Sequence, residues 1–191
     1  MKILSSLNIL FISAAIAFSS CTNDTDKTTD NANKTESATG TKDEVTQDNE
    51  DVYDEYENLK NALVKEDMDM AKKAVEGMKV QLDKVKNENK FPEEIAAWNN
   101  ESKKMREHLD KIQAAANIED MRTHFSPLSE AMYANVKKYG LADETVYYQH
   151  CPMAFDNKGA SWLSEDEQIS NPYFGDDMLR CGETKETIES K

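Results

Sequence analysis

The chain has 191 residues, 38% of them hydrophobic, and 23 Lys and Arg against 37 Asp and Glu give a net charge of −14. That length suits one domain with a small appendage, and the lack of a basic cluster excludes nucleic acid as a partner. An acidic surface of this kind attracts cations loosely and chiefly keeps a chain soluble.

Residues 1–20 carry Lys2, an apolar run from Ile9 to Phe18, and Ser19-Ser20 ahead of Cys21. A charged start, a short apolar stretch and small residues before a cysteine predict a cleaved lipoprotein export signal over 1–20. The run is too short to span a bilayer. Phe18-Ser19-Ser20-Cys21 is similar to a bacterial lipobox, with Phe where Leu is usual. Cys21 is therefore the predicted lipidation site; the alternative is a plain secretory signal in which this cysteine is incidental. The lipid would anchor the chain to a membrane of the bacterial cell envelope, facing the periplasm or the cell surface. With Cys21 used as the anchor, Cys151 and Cys181 are the two cysteines left, in an oxidising compartment that allows them to pair.

Residues 22–50 contain Val45 and no other sizeable apolar side chain. Such a segment cannot bury enough surface to offset its ordering entropy, so residues 21–50 are predicted to be a disordered acidic tether.

From Asp51 the apolar period becomes helical. Val52, Tyr56, Leu59 and Leu63 share one face of a first helix. Lys65-Glu66-Asp67 is a tight connection in which Asp67 is placed to cap a second helix. The seam of that helix is Ala71, Val75, Met78, Leu82 and Val85. Gly77 weakens it or admits a close neighbour. Pro92 fits the first turn of a third helix, with Ile95, Trp98, Met105, Leu109 and Ile112 as its stripe. Asn117 is placed to cap a fourth, striped by Ile118, Met121, Phe125, Leu128, Met132, Val136 and Tyr139, with Pro127 expected to kink it and Gly140 to end it. Short loops between helices of similar length predict a mainly α fold, an antiparallel up-and-down bundle of about four helices over 51–140. Met78, Met105, Met121 and Met132 fall on these stripes and read as core filler rather than metal ligands. His108 reads as exposed, and His124 as a surface or capping residue.

Residues 141–185 change character. Thr145 to His150 has the β-branched and aromatic content of a strand, and Met178 to Thr184 is a candidate partner that would bring Cys151 near Cys181. A two-stranded ribbon must rest on the bundle, through Trp162, Leu163, Ile169, Tyr173 and Phe174. The unit mirrors itself chemically, with His150-Cys151-Pro152-Met153 at one end and Met178-Leu179-Arg180-Cys181 at the other. Thiolates and thioethers are soft donors suited to Cu(I). Cys151, Met153, Met178 and Cys181, with His150 as a fifth donor, are thus a candidate metal site. In extended chain Cys151 and Met153 share a face, whereas Met178 and Cys181 need a turn between them to converge. The competing reading is a Cys151–Cys181 disulfide that staples a loop-rich unit and leaves both methionines as packing.

Several strings here, RTHFSPLS at 122–129 and then CPMAF, WLS, NPYFG and MLRCG, occur in fixed order. They resemble an uncharacterised bacterial envelope domain attached to, or encoded beside, heavy-metal efflux adaptor proteins, over roughly residues 52–185. His150-Cys151-Pro152-Met153 is also similar to the HCPM core of short heavy-metal-binding modules. Their second Cys-x-x-Cys element is replaced here by Met178-x-x-Cys181, which points away from tetrahedral zinc and toward copper(I). The resemblance implies metal handling in the periplasm, with an efflux adaptor or a metal donor or acceptor protein as partner.

An enzyme is not expected. No nucleophile stands at motif spacing from a base, and there is no glycine-rich phosphate loop. Glu165-Asp166-Glu167 and Asp176-Asp177 read as solvated loops. Two functions remain: a soft-metal-binding envelope lipoprotein accessory to efflux, and a disulfide-stapled interaction module without metal.

Overall fold

The computed structural model describes residues 40–85, 92–141 and 144–189. The export signal and Cys21 lie outside the described residues, as does the first part of the tether.

Four helices form the body: α1 (Gly40–Val64), α2 (Met68–Lys84), α3 (Pro92–Ala114) and α4 (Ile118–Tyr139). They pack as an antiparallel bundle, α1 on α2 and α4, α3 on α2 and α4. The predicted stripes are its core. Val52, Tyr56, Leu59, Leu63, Met78, Met105, Leu109, Ile112, Met121, Phe125, Leu128 and Met132 are all fully buried. Both side-chain caps form, Asp67 accepting from the Met70 amide at 2.9 Å and Asn117 from the Asp120 amide at 2.8 Å. Each satisfies an amide that the helix itself leaves without a partner. At Gly77 an added Cβ would meet the Glu55 carboxyl 2.5 Å away, so the glycine is there for the close approach of α1.

Helix α1 starts eleven residues before Asp51, inside the stretch whose composition predicts a tether. What recruits it is polar. Asn49 is buried and its Nδ2 donates to the carbonyl of Gly140 at 2.7 Å, tying the helix to the end of α4. An apolar periodicity cannot register an anchor of that kind. Helix α4 runs through Pro127 as one element. It ends at Gly140 with a positive φ of 78° but an extended ψ of 178°. His108 is half-buried and not free on the surface; burial comes first, then Lys111 and His124, in lowering its pKa.

The C-terminal unit is a three-stranded antiparallel sheet of order β2-β1-β3, formed by β1 (Val146–Cys151), β2 (Ala160–Ser164) and β3 (Glu183–Ile188). The sequence predicts the first strand and its pairing with the last segment. Strand β2 is an addition, and every one of its residues is buried. It reads as a continuous Ala-Ser-Trp-Leu-Ser run without alternation, the pattern of a strand covered on both faces, which periodicity does not separate from a buried loop. Strand β3 begins at Glu183, later than Met178, because Gly175–Met178 is a single 3₁₀ turn.

Polar contacts hold the sheet to the bundle. The Tyr56 hydroxyl bonds Ser129 at 2.8 Å and accepts from the Leu163 amide of β2 at 3.1 Å. Lys60, fully buried, pairs with Glu57 and donates to Ser164 Oγ at 3.0 Å. On the other side, Tyr133 of α4 stacks on Tyr148 of β1 at 4.1 Å and its hydroxyl donates to Glu186 of β3 at 2.6 Å.

Candidate functional site

Cys151 is the last residue of β1, and it is buried. The strand stops there because Pro152 has no amide to give the ladder. Register carries the rest: His150 faces Glu183 on β3, so the residues just before Glu183 fall beside Cys151. Gly182 takes φ 145°, and a Cβ added there would lie only 3.0 Å from both the His150 carbonyl and the Trp162 ring, so the position favours glycine. Cys181 then lies against Cys151, with the two Sγ atoms 2.9 Å apart across thirty residues of chain. Both are free thiols.

The loop that delivers Cys181 is built by Asn171. Its Nδ2 donates to the Cys181 carbonyl at 2.8 Å, its Oδ1 accepts from the Tyr173 amide at 2.8 Å, and its own amide donates to Leu179 O at 2.9 Å. Tyr173 packs on Trp162, Phe125 and Phe155 and donates to the Ser161 carbonyl at 2.6 Å. Arg122 of α4 fixes the same loop from the bundle, Nε to the Pro172 carbonyl at 2.9 Å. The sequence places Arg122 and NPYFG among its distinctive strings without a role; here they aim Cys181. An Asn followed by Pro and an aromatic pair is a turn signal in its own right.

The turn expected between Met178 and Cys181 is present, the Cys181 amide donating to Met178 O at 2.9 Å. Met178 is half-buried. Met153 is not in extended chain, contrary to the face-sharing argument, because Pro152 ends the strand first. It opens a turn over Ala154–Asn157 and is 47% exposed, one of three large apolar side chains so exposed among the described residues. Phe155, Asp156 and Asn157 in that turn have φ of 52°, 57° and 64°. Such left-handed residues cost roughly 1–2 kcal/mol each, and strain of this kind collects where geometry serves function.

His150 neighbours Cys151 in the strand, so it points to the opposite face. There its Nδ1 meets Ser161 Oγ at 3.0 Å. It does not gather with the two cysteines: among the described residues, one set of three His, Cys, Asp or Glu brings its donor atoms within 4.8 Å, and that set lies elsewhere. Two further buried polar atoms near the strands, Gln149 Oε1 and Trp162 Nε1, have no hydrogen-bond partner.

The Cys181 thiol is protonated at neutral pH. Contact with Cys151 first, then burial, pushes the Cys181 thiol up to about 11. Chemically the pair can lose two electrons and two protons to form a disulfide, or exchange its protons for a thiophilic cation.

These features define a helical bundle that carries a dithiol on a small sheet. A family described as a protein of unknown function (DUF3347) matches residues 52–144, the bundle up to the approach to β1, so the dithiol lies beyond the matched residues. No curated protein and no solved structure matches the chain. Among the described residues no helix is long and apolar enough to cross a membrane.

Proposed function

We propose that this is an envelope lipoprotein, anchored through Cys21, that binds copper(I) or another soft metal ion at Cys151 and Cys181 as an accessory to metal efflux. The ion is cargo here, exchanged with an efflux adaptor or another metal-carrying protein. The observation that carries the reading is the 2.9 Å separation of the two sulfurs, one from a strand end and one from a turn. Met153 and Met178 stand two and three residues from these thiols in the chain and supply thioethers, which low-charge soft ions accept. His150, bonded to Ser161 on the other face, takes no part. Metal binding then displaces the thiol protons, so affinity rises with pH.

The second reading is a structural disulfide. Two thiolates on one tetrahedral ion at metal–sulfur distances of about 2.3 Å sit roughly 3.7 Å apart, and a disulfide sets them at about 2.05 Å. The observed 2.9 Å lies midway. The exposed Met153, two residues from Cys151 in the chain, favours the metal, since a disulfide has no use for an exposed thioether. The test is Cu(I) titration of the reduced full chain against a competing chelator. The metal reading expects one ion per chain, abolished by Cys151→Ser with Cys181→Ser and weakened at least about tenfold by Met153→Ile with Met178→Ile. Binding no stronger than that of the double serine variant would leave the cysteines as a staple.

A further inference from the structure

The set of three donors that does converge is made of oxygen. Asp54 of α1, Glu144 just before β1 and Glu165 just after β2 each offer a carboxylate oxygen within 4.8 Å of the others. They sit at the end of the β1–β2 pair remote from Cys151, because Tyr147 pairs with Ser164 there while Cys151 pairs with Ala160 at the opposite end. Acidic clusters are common on a chain with 37 Asp and Glu, and the cluster alone would mean little.

Its inner wall is what distinguishes it. Tyr53 is fully buried, and its hydroxyl has no hydrogen-bond partner. Glu57 is 7% exposed; Oε1 meets Lys60 and Asn61, while Oε2 has no partner. Glu144 Oε2 is also buried without a partner. Tyr53 and Glu57 are four residues apart on α1 and therefore share a face, the face next to Asp54. Glu57, Glu165 and Glu144 all act on the Tyr53 hydroxyl, raising its pKa well above the ordinary value after burial itself. Asp54 and Glu57, three apart on the same helix, are likewise neighbours on its surface, which sets Glu57 beside the three carboxylates. Buried polar atoms in native proteins find partners, and three oxygens left without one around a knot of negative charge call for a cation.

We propose that Asp54, Glu57, Glu144, Glu165 and the phenolic oxygen of Tyr53 form a binding site for a hard divalent cation of the calcium class. Calcium takes six to eight oxygens at about 2.3–2.6 Å, so any two oxygens on its coordination sphere lie within about 5 Å. The three carboxylates meet that limit with side chains as they stand. Magnesium needs shorter contacts, at about 2.0–2.1 Å, and stricter octahedral geometry. Four carboxylates against one lysine, Lys60, leave room for a divalent charge. With no sulfur or imidazole donor, the site is the chemical opposite of the dithiol, and soft ions are poor occupants. Its ligands come from α1, from the segment entering β1 and from the segment leaving β2, so a bound ion ties the bundle to the sheet.

Terbium(III), which enters calcium sites and luminesces when a neighbouring tyrosine is excited, is the probe, with Tyr53 as the donor. The full chain, stripped with chelator, is expected to give sensitised emission that calcium displaces, and millimolar calcium is expected to raise its Tm. Asp54→Asn and Glu165→Gln, both isosteric, are each expected to weaken terbium binding at least about tenfold. The Cys151→Ser, Cys181→Ser variant is expected to respond as the parent does, which separates this site from the proposed metal cargo. Absence of both emission and Tm shift overturns the proposal. So does emission unchanged in the two carboxylate variants, or a chain that Glu165→Gln stabilises and calcium leaves unaffected, which would mark the cluster as a shared-proton network.

Discussion

Arg122 on α4 donates its Nε proton to the carbonyl of Pro172, fifty residues on in the loop that ends at Cys181. The same guanidinium reaches Glu66 at 2.9 Å and the Leu63 carbonyl at 3.4 Å, at the turn where α1 gives way to α2. One side chain thus joins two corners of the bundle to the loop that aims a thiol. The arginine is buried and Glu66 is half exposed, so the stabilising part is the pair of charge-assisted bonds to carbonyls and not the ion pair.

Arg122→Ala should therefore cost roughly 2–3 kcal/mol, the loss expected when a charged donor leaves buried carbonyls unpaired. The Cm for denaturant unfolding should fall with m unchanged. Cys181 should also become easier to alkylate, since its loop has lost its tie to α4. Arg122→Lys should recover only part of the stability, because an ammonium does not reproduce the fork that meets Pro172 and Leu63 together. Equal alkylation in parent and variant would show that Asn171 alone holds the loop.

Trp98, 3% exposed on α3, sits edge-on to Tyr139 of α4 with ring centroids 5.5 Å apart. Trp98→Ala should destabilise the fold by about 3–5 kcal/mol through lost burial and the cavity left behind. Trp98→Phe keeps the edge contact and should cost less than half of that. A loss under about 1 kcal/mol for the alanine variant would mean that α3 contributes little to the core.

The bundle was legible because its information is periodic. Apolar residues recur at three and four, caps stand where Asp67 and Asn117 stand, and Pro92 marks a start; each is a local signal. The end of α1 nearest Gly40 was not legible, since Asn49 acts through a partner 91 residues away. The meeting of Cys151 with Cys181 follows from strand pairing and was readable. The separation of His150 from the thiols also follows from strand alternation, once β1 is known to run unbroken to Cys151. Met153 escaped because Pro152 ends the strand one residue before the extended geometry would have served. The acidic site was invisible for a different reason: Glu165-Asp166-Glu167 looks like any solvated run until Tyr53 and Glu57 are placed behind it.

The carboxylates also predict a pH dependence. Burial first, then Glu57 and Glu144, and more weakly Asp54, raise the Glu165 carboxyl to about 7. The charged and titratable groups that act with it are Tyr53, Asp54 and Glu57 from α1 and Glu144 ahead of β1. A pKa raised in the folded state means that folding favours the protonated form. Without calcium, this contribution is fully present below about pH 4.5 and is lost as pH climbs through about 7. The Tm of the stripped chain should fall across that window, and Glu165→Gln should flatten the fall. With calcium the sign reverses, because the ion takes the ionised carboxylates. A Tm profile identical with and without calcium would count against the site.

The thiols give the last prediction. Contact with Cys151 is the first cause of the high Cys181 pKa, about 11, so removing that sulfur should lower it toward an ordinary thiol value of about 8.5. Alkylation proceeds through the thiolate. In the reduced parent, Cys181 should therefore react slowly at pH 8, with a rate that climbs about tenfold per pH unit until it levels near pH 11. In Cys151→Ser the remaining thiol should react at pH 8 about a hundredfold faster and level off near pH 9, since a serine hydroxyl donates a proton to the thiolate without competing for ionisation. Timed iodoacetamide labelling read by intact mass separates the two. A single plateau near pH 9 in both proteins would mean that the sulfurs do not meet in the reduced chain, and the dithiol site would lose its geometric basis.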